Sequence, residues 1–145
     1  QIEKVVAAGI RPTHLDSHKH THLLPSIFHA AVRLAKEFAI PYVRLPLPRI
    51  GYYGRLARAN GVRMTDHLLG FRLTGTLTEE SFAAAIERLP EGETEFLCHP
   101  GLLGPELAQA QTRLKESRVR ELEALTSPRI RALLTEKEVR LGPFR

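Results

Sequence analysis

The sequence predicts an α/β chain built on a parallel sheet, and three observations carry that expectation. Segments with apolar residues at helical spacing alternate with short apolar runs bounded by Pro and Gly, which is the pattern of βαβ units. The composition is 43% hydrophobic and 26% charged over 145 residues, with 10 Gly and 10 Pro, as in a globular chain organised as one domain over 1–145. No stretch approaches the roughly 18 to 20 consecutive apolar residues of a bilayer-spanning helix.

Taken in order, Ile2 to Ala8 reads as the end of a helix closed by Gly9. Thr13 to Ser17 is a short strand after Pro12. Pro25 sits where a first helical turn tolerates it and opens an apolar-periodic helix from about Ser26 to Phe38. Pro41 starts a strand through Tyr42, Val43, Arg44 and Leu45. The following LPLPRIGYYG, residues 45–54, is too rich in Pro and Gly for regular structure, and helix resumes from Tyr53 to Ala59. Phe71 to Leu73 is a candidate strand. Thr78 is placed to cap a helix running to Leu89, ended by PEG. Glu93 to Cys98 is the next strand, and two helices split at Ser127-Pro128 lead to a final strand near Glu138 to Leu141.

The net charge of +5 raises nucleic acid as a partner, so its position along the chain matters. Residues 113–145 hold nine Lys/Arg against five Glu, whereas 1–112 are nearly balanced with twelve against eleven. The basic excess interleaves with Leu, Val and Ile at helical spacing and contains no aromatic residue through Glu138, which is the pattern of a solvated helix face rather than a base-stacking surface. Nucleic acid is therefore not expected. A single cysteine, Cys98, forms no internal disulfide, and the expected compartment is the reducing cytoplasm. The opening at Gln1 inside a helical pattern suggests a piece of a longer protein.

Two constellations carry chemistry. HLDSHKHTH, residues 14–22, holds four of the seven histidines. If the segment is extended, His14, Asp16, His18, His20 and His22 share one face, with Leu15, Ser17, Lys19 and Thr21 opposite. Imidazole is the commonest metal-binding side chain, so this stripe at a strand end is a candidate metal site. The competing reading is a hydrogen-bonded histidine cluster. Same-face residues lie roughly 6 to 7 Å apart along a strand, too far for all of them to reach one ion. His18 is the first candidate ligand, with His20 or His22 next. The second constellation is EFLCHPG, residues 95–101, where an apolar strand ends in a histidine followed by Pro-Gly. His99 at that loop mouth suits a general acid or base, while Cys98 points to the other face as a small buried residue.

At these motifs the chain resembles a known family. THLDSHKHTHLLPSIF, YVRLP, TEFLCHPG, RLKESRVRELEAL and EVRLG occur in the order of the motifs of YdjC-type carbohydrate deacetylases, a family that includes chitooligosaccharide deacetylases and a hopanoid-biosynthesis-associated branch. The resemblance implies a deformed (β/α) barrel of the polysaccharide-deacetylase-like type. It also implies hydrolysis of an N-acetyl group from an amino sugar with a divalent metal, magnesium or zinc. The substrate class would be a chitooligosaccharide or an N-acetylglucosaminyl lipid such as a hopanoid, and the HLLP and VRLP forms lean toward the second.

By the same resemblance, His18 alone in this sequence maps onto the family's Asp-His-His metal set, while His20 stays a candidate second ligand from its place beside His18. His99 maps onto the histidine that protonates the leaving amine. Arg44 and His22 are candidate substrate contacts, Arg44 equally a structural anchor. Members of that family begin with an NADDFG-like strand and carry a GLH-like motif, which supply the remaining ligands and the general base. Neither motif occurs in this sequence. The resemblance therefore implies the carboxy-terminal portion of the barrel, a truncated catalytic domain inactive alone. Its exposed edges would make it a homo-oligomer or bind its missing half. The reading from another class is a non-catalytic α/β domain whose histidines bind only a metal or a partner.

Overall fold

In the computed structural model, which describes residues 1–44 and 51–144, seven α-helices alternate with four short strands. They run α1 (Ile2–Ala7), β1 (His14–Leu15), α2 (Pro25–Glu37), β2 (Tyr42–Val43), α3 (Gly51–Ala59), β3 (His67–Leu69), α4 (Glu79–Glu87), β4 (Thr94–Phe96), α5 (Pro105–Gln109), α6 (Glu116–Thr126) and α7 (Pro128–Glu136). Two 3₁₀ turns, His18–Leu23 and Phe71–Leu73, follow β1 and β3. Among the described residues the strands form two parallel pairs, β1 with β2 and β3 with β4, so the α/β class with parallel strands holds. The chain divides into two compact units, Gln1–Asp66 with Gly142–Arg145, and His67–Leu141.

In the first unit, Pro25 opens α2 at a position whose N–H has no helical acceptor, as the sequence predicts. Phe28, Val32 and Ala35 then recur on one stripe and bury against Ile40, Val43, Tyr53, Ala57 and Val62. Tyr53 sits edge-on to Phe28 at 4.5 Å between ring centroids, and its hydroxyl donates to the Leu23 carbonyl at 2.6 Å. That bond ties α3 to the end of the first 3₁₀ turn. Residues 51–54 are helical although the sequence argued against regular structure there; the rest of that loop and Leu45 lie outside the described residues.

In the second unit, Thr78 caps α4 as expected, in a reciprocal pair with Ser81. Phe82, Ala83 and Ile86 of α4 meet Leu77, Ala124 of α6 and Ile130 of α7. Ser127 caps α7 by accepting the Arg129 and Ile130 N–H groups, and its hydroxyl donates to the Glu79 carboxylate. The Arg129 guanidinium donates to the same carboxylate at 3.0 Å. One acidic side chain in the first turn of α4 thus holds the start of α7.

Three local expectations change. The strand expected at Phe71–Leu73 is a 3₁₀ turn, and the strand itself lies just before it at His67–Leu69. Gly70 explains the shift: its φ is +84°, and a Cβ there would lie 2.1 Å from the Leu97 carbonyl oxygen. The strand ends where that left-handed residue closes onto β4's continuation. The final strand expected at Glu138–Leu141 is absent among the described residues; Glu138 takes φ +54° directly after α7, and Leu141 is 78% exposed. The extended HLDSHKHTH stripe also fails, because β1 stops at Leu15 and Lys19 and His20 take left-handed φ values of 53° and 55°. The chain must turn from β1 into α2 within nine residues, and a 3₁₀ turn does this where a strand cannot.

Two stability predictions follow from this geometry. Gly70→Ala is expected to lower unfolding free energy by about 2–3 kcal/mol, combining left-handed strain with the Leu97 collision. Gly9→Ala, at φ +78° with no atom within 4 Å of the added Cβ, should cost only about 1 kcal/mol. Urea titration of the two variants compares them. Separately, hydrogen bonds from Ser127 and then Arg129 hold the Glu79 carboxyl below the ordinary carboxylate range, against a smaller opposing effect of burial. A carboxyl depressed in the folded state adds stability above its unfolded pKa and loses it as pH falls through its folded pKa. Glu79→Gln should therefore be less stable than wild type near neutrality and converge with it in acid, measured by chemical unfolding across pH.

Candidate active site

The first unit places the histidine-rich segment at the carboxyl end of β1, and the backbone there is organised by one ring. His22 is 2% exposed. Its Nε2–H donates to the Arg44 carbonyl at 2.6 Å, and because a carbonyl only accepts, this fixes the tautomer. Nδ1 is then the acceptor, and the Ser17 hydroxyl donates to it at 2.6 Å. Ser17 Oγ in turn accepts the His22 backbone N–H at 2.9 Å and the Thr21 hydroxyl at 3.2 Å. The end of β1, the 3₁₀ turn and the end of β2 are thereby joined through one imidazole.

That geometry places His22, expected as a substrate contact, as a buried ring with both nitrogens bonded to protein. The residue types do not signal this, since the Arg44 carbonyl is 22 positions away.

Arg44 is anchored at both ends. Its backbone N–H donates to the Leu15 carbonyl at 2.9 Å, continuing the β1–β2 pairing, and its guanidinium forms an ion pair with Asp16. His14, expected on the shared imidazole face, instead stacks on Phe144 at 4.3 Å, and Phe144 also lies 5.2 Å from the Tyr42 ring.

His18 is exposed at the start of the 3₁₀ turn, and His20 is half-buried with its ring edge-on to His22 at 6.2 Å. Among the described residues no group of three or more His, Cys, Asp or Glu side chains is arranged to hold a metal ion. The residues present therefore do not make a metal centre by themselves. Asp16, Ser17 and His22 line a groove of about 560 Å³ together with Ile27, Ala31 and Leu34 of α2.

The second unit presents His99. Along the strand and its extension, Phe96 and Cys98 pack on the apolar helix cluster, while Glu95 and Leu97 are buried on the alternate face, which is also His99's face. Cys98 packs beside apolar side chains but is half-buried rather than buried as expected. His99 is half-buried, and its Nδ1 is buried with no hydrogen-bond partner among the described residues.

The loop that carries His99 is held from α6. Glu121, 1% exposed, accepts the Gly75 N–H on Oε1 at 3.2 Å and the His99 N–H on Oε2. Arg118 donates from Nη1 to the His99 carbonyl at 3.2 Å, and its own carbonyl accepts the Gly101 N–H at 3.1 Å. The sequence reading did not assign Glu121 or Arg118 any role. The spacing puts residues 117, 121 and 124 on one helix face, but as Ser, Glu and Ala they carry no apolar signal, and only the structure shows that face buried.

A family model described as YdjC-like protein matches residues 1–136. The chain belongs to the YdjC-like family. This YdjC-like chain is 32% identical over its whole length to a carbohydrate deacetylase of Geobacillus stearothermophilus, covering 56% of that protein. It is 29% identical to a carbohydrate deacetylase of Clostridium beijerinckii, covering 57% of it, and 28% identical to a chitooligosaccharide deacetylase of Yersinia pestis, covering 56% of it. Among solved structures, an Enterococcus faecalis V583 protein provisionally named a cellobiose-phosphate cleavage protein superposes over 99% of this chain and 56% of its own. The TM-score is 0.85 at 27% identity. The YdjC-like chain thus spans a little over half the length of the relatives it matches.

The tie through His22 predicts a measurable cost of losing it. His22→Phe keeps the ring volume but removes the acceptor of the Ser17 O–H and the Nε2–H donor to the Arg44 carbonyl, for an expected loss of about 2–4 kcal/mol. Ser17→Ala, which keeps the bond to Arg44, should lose about 1 kcal/mol. Urea unfolding followed by circular dichroism distinguishes the two.

Proposed function

We propose that the protein containing this chain is a carbohydrate deacetylase that hydrolyses the N-acetyl group of an amino sugar, with His99 as general acid. The observation that supports this reading most directly is the placement of the His99 imidazole on a loop whose backbone is fixed by α6. The named relatives favour the same activity. In this reading the two parallel strand pairs are parts of a (β/α) barrel, and the groove beside β1 receives a neighbouring element of that barrel.

The chemistry assigned to this chain is the departure of the amine. Water gives one proton to a general base from outside these 145 residues and adds to the acetyl carbonyl. Collapse of the resulting tetrahedral intermediate breaks the C–N bond and releases acetic acid, which ionises to acetate. An amide anion is a very poor leaving group, so nitrogen must take up a proton as that bond breaks. His99 as imidazolium supplies it from Nε2 and ends neutral, and acetate and a free amine are the products. Such a donor contributes typically ~10²- to 10⁴-fold to the rate.

A divalent metal, magnesium or zinc, is part of the proposal as the cofactor that polarises the acetyl carbonyl when bound. His18 is the ligand this chain offers, with His20 next to it. The described residues supply no third ligand, so the rest of the set would come from outside these 145 residues. The substrate is placed in the class of chitooligosaccharides, with an N-acetylglucosaminyl lipid of the hopanoid type as the other member to assay.

The complete gene product provides the test, with acetate release from N,N′-diacetylchitobiose as the readout. His99→Ala should lower turnover on the order of 10²-fold or more with metal content unchanged. His18→Ala should lower metal content and turnover together. If His99→Ala also stripped the metal, His99 would be a ligand and the assignment would be wrong; if it left turnover intact, His99 would have no part in the reaction.

A further inference from the structure

Outside the residues assigned to the reaction, the second unit buries two carboxylates, Glu95 and Glu121, and the second lies where its packing does not call for a charge. Glu121 lies on the inward face of α6, one turn before Ala124 of the apolar cluster, with 1% of its surface exposed. An apolar residue would fill that space without the desolvation of a carboxylate. What Glu121 adds is two acceptors aimed at backbone donors from separate loops, Gly75 and His99. Arg118, three residues earlier on the same helix, holds the His99 carbonyl and accepts from Gly101. Pro100 has no N–H and a fixed φ. The donors at 99 and 101 and the carbonyl at 99 are therefore all taken by a single turn of α6.

We propose that Glu121 is a positioning residue that sets the reach of the His99 imidazole, an inference that rests on the general-acid reading above. With its backbone held at both N–H and C=O, His99 keeps only side-chain rotation, so the place at which Nε2 meets the leaving nitrogen is decided by α6. Proton transfer demands hydrogen-bond reach, and a misplacement of about 1 Å costs about 10²-fold. Glutamine at 121 keeps one acceptor oxygen but turns an NH₂ toward the second N–H donor, so it releases one of the two loops.

The experiment is a double-mutant cycle in the complete gene product, with N,N′-diacetylchitobiose as the amide and an aryl acetate as the activated ester. Glu121→Gln is expected to lower kcat for the amide by about 10- to 10²-fold while KM changes by less than about threefold. In the His99→Ala background, whose residue 99 N–H still meets Glu121, the same substitution should lower kcat by less than about twofold. Toward the aryl acetate, whose leaving group needs no proton, the effect should shrink as it does for His99→Ala. An additive cycle, or equal losses on amide and ester, would show that Glu121 only supports the fold, and would overturn the proposal while leaving His99's role intact. Loss of no activity in His99→Ala itself would remove the general-acid reading and this inference with it. If circular dichroism shows Glu121→Gln unfolded, Arg118→Met, which keeps the side-chain stem and removes the guanidinium from the His99 carbonyl, goes through the same cycle with the same expected and overturning outcomes.

Discussion

A parallel strand pair two or three residues long makes very few ladder hydrogen bonds, and the rest of this structure answers that constraint. β1 and β2 pair over two positions, β3 and β4 over three. The loops leaving such strands begin almost at once, and the ladder cannot orient them. In each unit the loop at the carboxyl end of a strand is instead fixed by one buried polar side chain, His22 in the first and Glu121 in the second. Apolar clusters around α2 and around α4, α6 and α7 supply the burial, but they are non-directional. Direction comes from the two buried polar groups.

Their chemistries match what each loop presents. The first unit offers one donor, the Ser17 hydroxyl, and one acceptor, the Arg44 carbonyl, and neutral imidazole meets both with its two unlike nitrogens. The second unit offers two N–H donors, from Gly75 and His99, and a carboxylate meets both with its two like oxygens. Exchanging the two residues would leave a donor facing a donor, or an acceptor facing an acceptor, in a place without water. A buried polar group of this kind therefore specifies one loop arrangement rather than adding general stability.

The exposed groups acquire meaning from these ties. His18 stands at the first residue of a 3₁₀ turn whose path is dictated by Ser17 and His22, so its exposure is imposed from one buried neighbour. His99 projects from a loop with little remaining backbone freedom. The chain spans a little over half the length of the relatives it matches, and the placement of these exposed groups is set within it.

Helices such as α2 and α4 were legible in the sequence because their determinants are local. Pro25 at a first turn, Thr78 as a cap and an apolar stripe at 28, 32 and 35 act within a few residues. The motif around His99 and the strand before it were legible for the same reason. What the sequence could not decide was the conformation of residues 16–22, where alternation of side chains suggested a stripe of imidazoles. Only the tertiary structure, by setting the Arg44 carbonyl opposite residue 22, makes one histidine a buried tie and turns the others aside. The role of Glu121 was hidden likewise: a glutamate in a charged helix reads as solvated until Gly75 and His99, 46 and 22 residues away, bring their N–H groups to it. Local periodicity determines which segments are helix or strand, whereas the function of a buried polar side chain is decided by partners that are distant in sequence.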